Sequence, residues 1–146
     1  MKKTHVVIHH SATADSGSVS WGAIRRYHVE TNGWKDIGYH LGVELVGEHY
    51  EVMLGRDFNE NGAHCYQDGM NVKALGVCFV GDYDQAPPPN EMLVFAAQKL
   101  RRIMKDLGIP ADVGHVHKHS DFAPKTCPGK LFPFSAFLAL LNAENP

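Results

Sequence analysis

The chain has 146 residues, the usual size of one folded domain, and it can bury a substantial core without disulfide bonds. Its formal net charge of −2 argues against a protein that binds nucleic acid by neutralising phosphates. No apolar run approaches the roughly 20 residues of a membrane span, and residues 6–8 are too short for a signal-peptide core. We therefore expect one domain over residues 1–146, made in the cytoplasm without a signal peptide.

Hydrophobic periodicity predicts strands and helices that alternate along the chain. Residues 5–9 are apolar and β-branched, which is typical of a buried first strand. Residues 39–46 and 49–54 have strand patterns joined across Gly47 and Glu48, a hairpin signal. The other predicted elements are a helix begun by Ser20 and ended at 31–33, a strand over 75–80, a helix begun by Asn90 and ended by Gly108, a strand over 113–116 and a helix over 134–141. This order predicts an α/β fold, a mixed central β-sheet flanked by helices.

Two polar segments between these elements are predicted loops with the composition of functional sites. Residues 57–73 form a long surface loop, and loops of that length are often functional. Residues 117–128 hold two imidazoles, a carboxylate, two ammonium groups and a thiol, while two prolines exclude a regular helix or a central strand. Loops held by a rigid scaffold frequently carry the chemistry of a protein.

Histidine and cysteine, the donors that zinc prefers, occur in a pattern that predicts a metal site. The chain has ten histidines and three cysteines, and the odd number and wide spacing of the cysteines exclude a disulfide framework. His119 and Cys127 flank a turn-forming segment, so one ion could contact both. A third ligand is expected at the end of the first strand, where open α/β sheets present their sites. The residues alone leave two choices open: His9 or His10, and His119, His117 or His115.

A series of short motifs follows in one order along the chain. They are residues 7–13, 33–40, 55–57, 62–64, 75–81 and 119–128. Together they resemble the type 2 N-acetylmuramoyl-L-alanine amidases, a zinc family that includes single-domain phage lysins and peptidoglycan recognition proteins. The resemblance covers nearly the whole chain, and the order of several motifs is more specific than any one of them.

This resemblance implies both a metal site and an activity. It implies zinc bound by His9, His119 and Cys127, with Tyr39 and Lys125 as catalytic residues. It also implies cleavage of the amide bond between N-acetylmuramic acid and L-alanine, with the muramyl peptide of peptidoglycan as partner. We expect the protein to be a monomer. Zinc makes hydroxide available near neutral pH, and a nearby cation such as Lys125 stabilises the oxyanion of the tetrahedral intermediate.

The branch of the family decides the expected biology. The cysteine ligand and Tyr39 resemble the phage-lysin and recognition-protein branch, whereas the cytosolic recycling enzymes have an aspartate and a glutamate in these places. We therefore expect a phage or prophage endolysin that acts on the cell wall after release. The alternatives are a cytosolic muropeptide-recycling amidase and a non-catalytic peptidoglycan-binding module of the same fold.

Several roles around the metal follow less directly. His64, Trp34 and Phe122 are the expected substrate-binding residues of a sugar–peptide groove. The general base stays open between Tyr39 and hydroxide supplied by zinc. Asp121 either fixes the tautomer of a zinc-bound imidazole or caps its own turn. Residues 65–71 depart from the family pattern, which affects the expected substrate contacts and not the metal site.

Overall fold

The computed structural model describes residues 2–14 and 20–143, so residues 1, 15–19 and 144–146 of the predicted domain lie outside the described part. Strands and helices alternate in it as the periodicity predicts. The strands are β1 (His5–His10), β2 (Leu41–Val46), β3 (His49–Leu54), β4 (Ala74–Phe79) and β5 (Val116–Lys118). The helices are α1 (Trp21–Arg26), α2 (Met70–Lys73), α3 (Asn90–Leu107) and α4 (Phe134–Asn142).

The five strands form one sheet in the order β3-β2-β4-β1-β5. β1 lies parallel to both β4 and β5, and β2 lies parallel to β4. Only the hairpin partner β3 is antiparallel, paired with β2 from Val46 opposite His49 to Leu41 opposite Leu54. The predicted mixed sheet flanked by helices is therefore confirmed.

Successive strand residues point to opposite sides of the sheet, so its two faces carry different residues. On one face Val6, Ile8 and Val77 share the main core with α3 and α4. Helix α3 contributes apolar residues at helical spacing: Met92, Leu93, Ala96, Ala97, Leu100 and Met104. The other face carries Val7 and Cys78, each in a smaller apolar cluster, and leaves room there for polar side chains.

Three differences from the predicted elements have local causes. The last strand begins at Val116 because a turn precedes it, in which the backbone carbonyl of Asp112 accepts the N–H groups of His115 and Val116. The predicted loop 57–73 ends in a 3-10 turn, Gln67–Gly69, followed by α2. The predicted helix after Ser20 widens in its second half into a π-helix, Tyr27–Thr31. In the described part of the chain, no helix combines the length and apolarity needed to cross a membrane.

Helix α1 is attached to the sheet through a buried carboxylate. Glu44 of β2 is fully buried and accepts hydrogen bonds from the backbone N–H of Ser20, the Ser20 hydroxyl and the backbone N–H of Trp21. The Ser20 side chain therefore bonds to the sheet and does not cap its own helix. Buried carboxylates are rare unless they are paired, so these three donors fix the start of α1 over the sheet.

Replacing Glu44 with glutamine should destabilise the fold. The Glu44→Gln amide nitrogen faces backbone donors, which leaves at least one buried N–H unsatisfied at a cost of about 1–3 kcal/mol. The measurement is the free energy of unfolding in urea. The matched control is Glu51→Gln, because Glu51 is the cross-strand neighbour of Glu44 and is exposed. Equal stabilities of the two variants would contradict this account of α1.

Candidate active site

Three donor side chains meet at the ends of β1 and β5. His9 lies near the end of β1, His119 directly follows β5, and Cys127 lies in the loop beyond, with all three donor atoms within 4.8 Å of one another. The Nδ1 atom of His9 is 3.6 Å from the Sγ atom of Cys127. Zinc with ordinary bond lengths and tetrahedral angles separates a nitrogen and a sulfur ligand by about 3.6 Å. The donor set therefore fits a zinc ion with a fourth position left for water or substrate.

The competing histidines lie elsewhere. His10 points to the other side of β1, where its Nδ1 accepts the backbone N–H of Tyr83, although its own backbone N–H donates to Cys127 Sγ at 3.4 Å. The rings of His115 and His117 stack with His5 at 5.4 and 5.6 Å between ring centroids. The structure thus brings His9 and His119 together with Cys127 and keeps the other histidines out of the donor group.

Burial sets the protonation of these donors. It lowers the pKa of His119 to about 4 and that of His9 well below its usual value, with neighbouring positive charge acting in the same direction. Burial also raises the pKa of the Cys127 thiol to about 11, against the lowering effects of the His10 N–H and the Lys125 ammonium. Both imidazoles are neutral, so each has a nitrogen lone pair available for a metal, whereas Cys127 must lose its thiol proton when a metal binds.

Tyr39 and Lys125 line the same cavity of about 370 Å³ as the three donors. The Tyr39 ring lies 5.2 Å from that of His9, and burial together with the thiols of Cys78 and Cys127 raises the pKa of its hydroxyl. Lys125 is exposed at the rim, and in the described residues its ammonium has no ion-pair or hydrogen-bond partner. A free cation and a phenol therefore face the candidate metal position.

The loop that carries Lys125 and Cys127 is tied to the turn after β4 by Asp84. Its carboxylate accepts the Thr126 hydroxyl at 2.8 Å and the backbone N–H of Lys130 at 2.9 Å. Sequence reasoning missed Asp84, because its partners lie more than forty residues away. Asp121 accepts the backbone N–H of Lys118 and so caps its own turn.

Trp34 forms a wall of this cavity together with His28. The two rings lie 4.7 Å apart, and His28 Nδ1 accepts the backbone N–H of Gly38. A second cavity of about 660 Å³ shares Trp34 and Lys125 with the first and extends along Tyr66. Sequence reasoning missed His28 as a site residue, because His28 fits the helical spacing of the predicted helix; in the structure it lies in the π-helical segment Tyr27–Thr31.

His64 and Phe122, the other two expected substrate contacts, lie in different surroundings. His64 is buried; its Nδ1 is 2.9 Å from His9 Nε2, its Nε2 is 3.2 Å from the Ala74 carbonyl, and burial lowers its pKa to about 3. His64 nevertheless lines both cavities. Phe122 packs on the Val7 cluster and against His117, away from both cavities.

Comparison with known proteins agrees with this geometry. The family model for N-acetylmuramoyl-L-alanine amidase matches residues 1–130. The chain belongs to this amidase family. The amidase is 34% identical to the endolysin of Klebsiella phage KP32 over 126 residues, 86% of this chain and 80% of that protein. It is also 34% identical to the endolysin of Escherichia phage T7 over 124 residues, 84% of this chain and 78% of that protein.

Solved structures extend the likeness to the fold. The N-acetylmuramoyl-L-alanine amidase LysC from Clostridium intestinale superposes with a TM-score of 0.80 at 25% identity, over 98% of this chain and 87% of that one. Peptidoglycan recognition protein LE, solved in complex with tracheal cytotoxin, gives 0.76 at 26% identity, over 92% and 79% of the two chains. The predicted family, fold and amidase activity on peptidoglycan are therefore confirmed.

Proposed function

We propose that this amidase is a zinc-dependent endolysin that cleaves the bond between N-acetylmuramic acid and L-alanine in peptidoglycan. One observation carries the proposal: His9, His119 and Cys127 converge in the same cavity as Tyr39 and Lys125. Three protein ligands with an open fourth position are the arrangement of a catalytic zinc site, whereas structural zinc sites have four protein ligands. When bound there, zinc supplies a Lewis acid that activates water at neutral pH.

The residues of the chain would divide the remaining work. Lys125 places a positive charge at the rim of the cavity, where it stabilises the negative charge that develops on the carbonyl oxygen of the scissile amide. Tyr39 offers a hydroxyl beside His9 that orients the attacking water through a hydrogen bond. Asp84 holds the loop between Lys125 and Lys130 through Thr126, which keeps the ammonium and the thiol in register.

The substrate would lie across the two cavities that meet at Trp34 and Lys125. Trp34 and His28 offer flat ring surfaces on which a sugar or a peptide packs. The likeness to a recognition protein solved with a peptidoglycan fragment supports a muramyl peptide as this ligand. We leave Phe122 out of the groove because it packs inside a small core cluster. The enzyme would act on the cell wall as a monomer.

The zinc assignment predicts that Cys127 and Cys65 respond differently to mutation. Cys127→Ala should lose most of the metal because it removes one of three ligands. Cys65→Ala should keep about one zinc per chain, since Cys65 lies outside the donor group. Elemental analysis of both purified variants decides the matter. If both retain full zinc, the ligand set is wrong.

The bond assignment predicts the products of digestion. Purified sacculi treated with the enzyme should release new L-alanine amino termini and no new reducing sugars, because metal-assisted hydrolysis suits an amide and a glycosidase needs a suitably placed carboxyl pair. The measurement is mass analysis of the digestion products, with and without a chelator. Reducing ends that appear in proportion to clearing would place the enzyme in another class.

The roles of Lys125 and Tyr39 predict a loss of rate without a loss of metal. Lys125→Ala should lower turnover roughly a hundredfold or more, the usual cost of removing one oxyanion stabiliser. Its zinc content and its binding to sacculi should stay nearly unchanged, because a contact made mainly in the transition state changes rate and not ground-state affinity. Tyr39→Phe should behave in the same way with a smaller loss.

A clearing assay, a sacculus pull-down and a metal assay on the same preparations separate these effects. Lys130→Ala is the matched control, since it removes a nearby lysine that does not line the cavity. If Lys125→Ala and Tyr39→Phe both clear sacculi at the parental rate, the two catalytic roles are wrong, and the metal assignment alone is retained.

A further inference from the structure

We propose that His64 is a positioning residue for the metal: its Nδ1 accepts the Nε2–H of His9 and so turns the Nδ1 lone pair of His9 towards the ion. The inference rests on the proposed zinc site. It assigns His64 to a task other than the substrate contact expected from the sequence, because the residue acts on a ligand and not on the muramyl peptide.

The direction of the hydrogen bonds follows from a backbone carbonyl. The Ala74 oxygen can only accept, so the His64 Nε2 atom, 3.2 Å away, carries a hydrogen. A neutral imidazole with hydrogen on Nε2 has its lone pair on Nδ1, and that atom lies 2.9 Å from His9 Nε2. His9 must then donate through Nε2, which leaves the lone pair on its Nδ1, the atom 3.6 Å from Cys127 Sγ. One carbonyl thus fixes the tautomers of two histidines.

Both ring nitrogens of His64 are engaged in this relay. Neither ring nitrogen is left to hydrogen-bond to a substrate, because Nδ1 bonds to His9 and Nε2 to Ala74. Metal-binding histidines usually donate their second nitrogen to a carboxylate, a carbonyl or water. Here the imidazole of His64 takes the place of that acceptor and itself donates a hydrogen bond to the backbone carbonyl of Ala74.

The His64 ring occupies a space that exists because two neighbouring residues are glycines without a Cβ atom. A Cβ atom at Gly62 or at Gly76 would lie within 3 Å of ring atoms of His64, closer than real Cβ contacts allow. Neither glycine has a positive φ, so close approach to the ring and not backbone conformation is what requires glycine. The backbone of the loop is held as well, since Asn71 Oδ1 accepts the N–H groups of His64 and Cys65.

The experiment compares zinc affinity by chelator competition in the parent and three variants. His64→Leu removes the acceptor, and its affinity should fall about tenfold to a hundredfold, the usual effect of losing such a partner. His64→Asn places an oxygen near the position of Nδ1 and should stay within about threefold of the parent. Gly76→Ala displaces the ring without changing either histidine, and its affinity should fall like that of His64→Leu.

A matched control separates positioning from general loss of stability. His40 is also a buried histidine, and within residues 2–14 and 20–143 its ring nitrogens bond to the backbone of Gly76 and Glu60. His40→Leu should lower the metal-free Tm yet keep the parental zinc affinity. At saturating zinc, His64→Leu should also keep the parental KM for muramyl peptide, whereas a substrate contact would raise it.

The outcomes are decisive in either direction. Parental zinc affinity in His64→Leu overturns the inference, as does an affinity in His64→Asn as low as that in His64→Leu. An equal loss in His40→Leu would assign the effect to stability and overturn it too. If His64→Leu does not fold, His64→Asn against Gly76→Ala gives the same comparison. Failure of the proposed function is distinct, because the parent itself would then bind no zinc or leave the amide intact.

Discussion

The pairing of β1 between β4 and β5 is the constraint on which the site depends. Because β1 is buried on both sides, its register places Val6 and Ile8 in the main core and turns Val7 and His9 to the opposite face. The same register brings the end of β5, and with it His119, beside His9. A shift of one residue would exchange the faces and replace His9 with His10. The hydrophobic core therefore selects which histidine joins the candidate metal site.

Three buried polar side chains on this face are stable because each is anchored to the backbone. His40 bonds to Gly76 and Glu60, His64 to Ala74, and Glu44 to the start of α1. An unpaired polar group in such a place costs several kcal/mol, so these bonds are what permit a histidine-rich interior. The cost is met locally by strands and turns that the fold already contains, and no buried counter-charge is required for the imidazoles, which burial keeps neutral.

Local pattern predicted most of the fold, whereas the site depended on contacts that no local pattern encodes. β1, the β2–β3 hairpin, α3 and α4 follow from periodicity and turn residues, which act within a few positions. The relay from Ala74 to His64 to His9 joins residues 55 positions apart and exists only once β4 lies beside β1. Spacing alone could not choose between His9 and His10 either, since the choice rests on which face α3 covers. The displaced start of β5 has a local cause instead, the turn that the carbonyl and the side chain of Asp112 hold together.

The site joins a rigid half to a tethered half, and this division agrees with the chemistry of each. His9 and His64 lie on or behind the central sheet, where ring positions are fixed by packing and by flanking glycines. Lys125 and Cys127 lie on a loop that Asp84 and the bond from the Ser120 N–H to the Cys127 carbonyl hold at its base. A metal site needs ligands in a fixed geometry. In the proposed mechanism, by contrast, the exposed Lys125 must leave room for the polymeric substrate to enter before its ammonium reaches the reacting carbonyl. The sheet holds His9 in a fixed position, and the tethered loop brings both Cys127 and the exposed Lys125 to the same cavity.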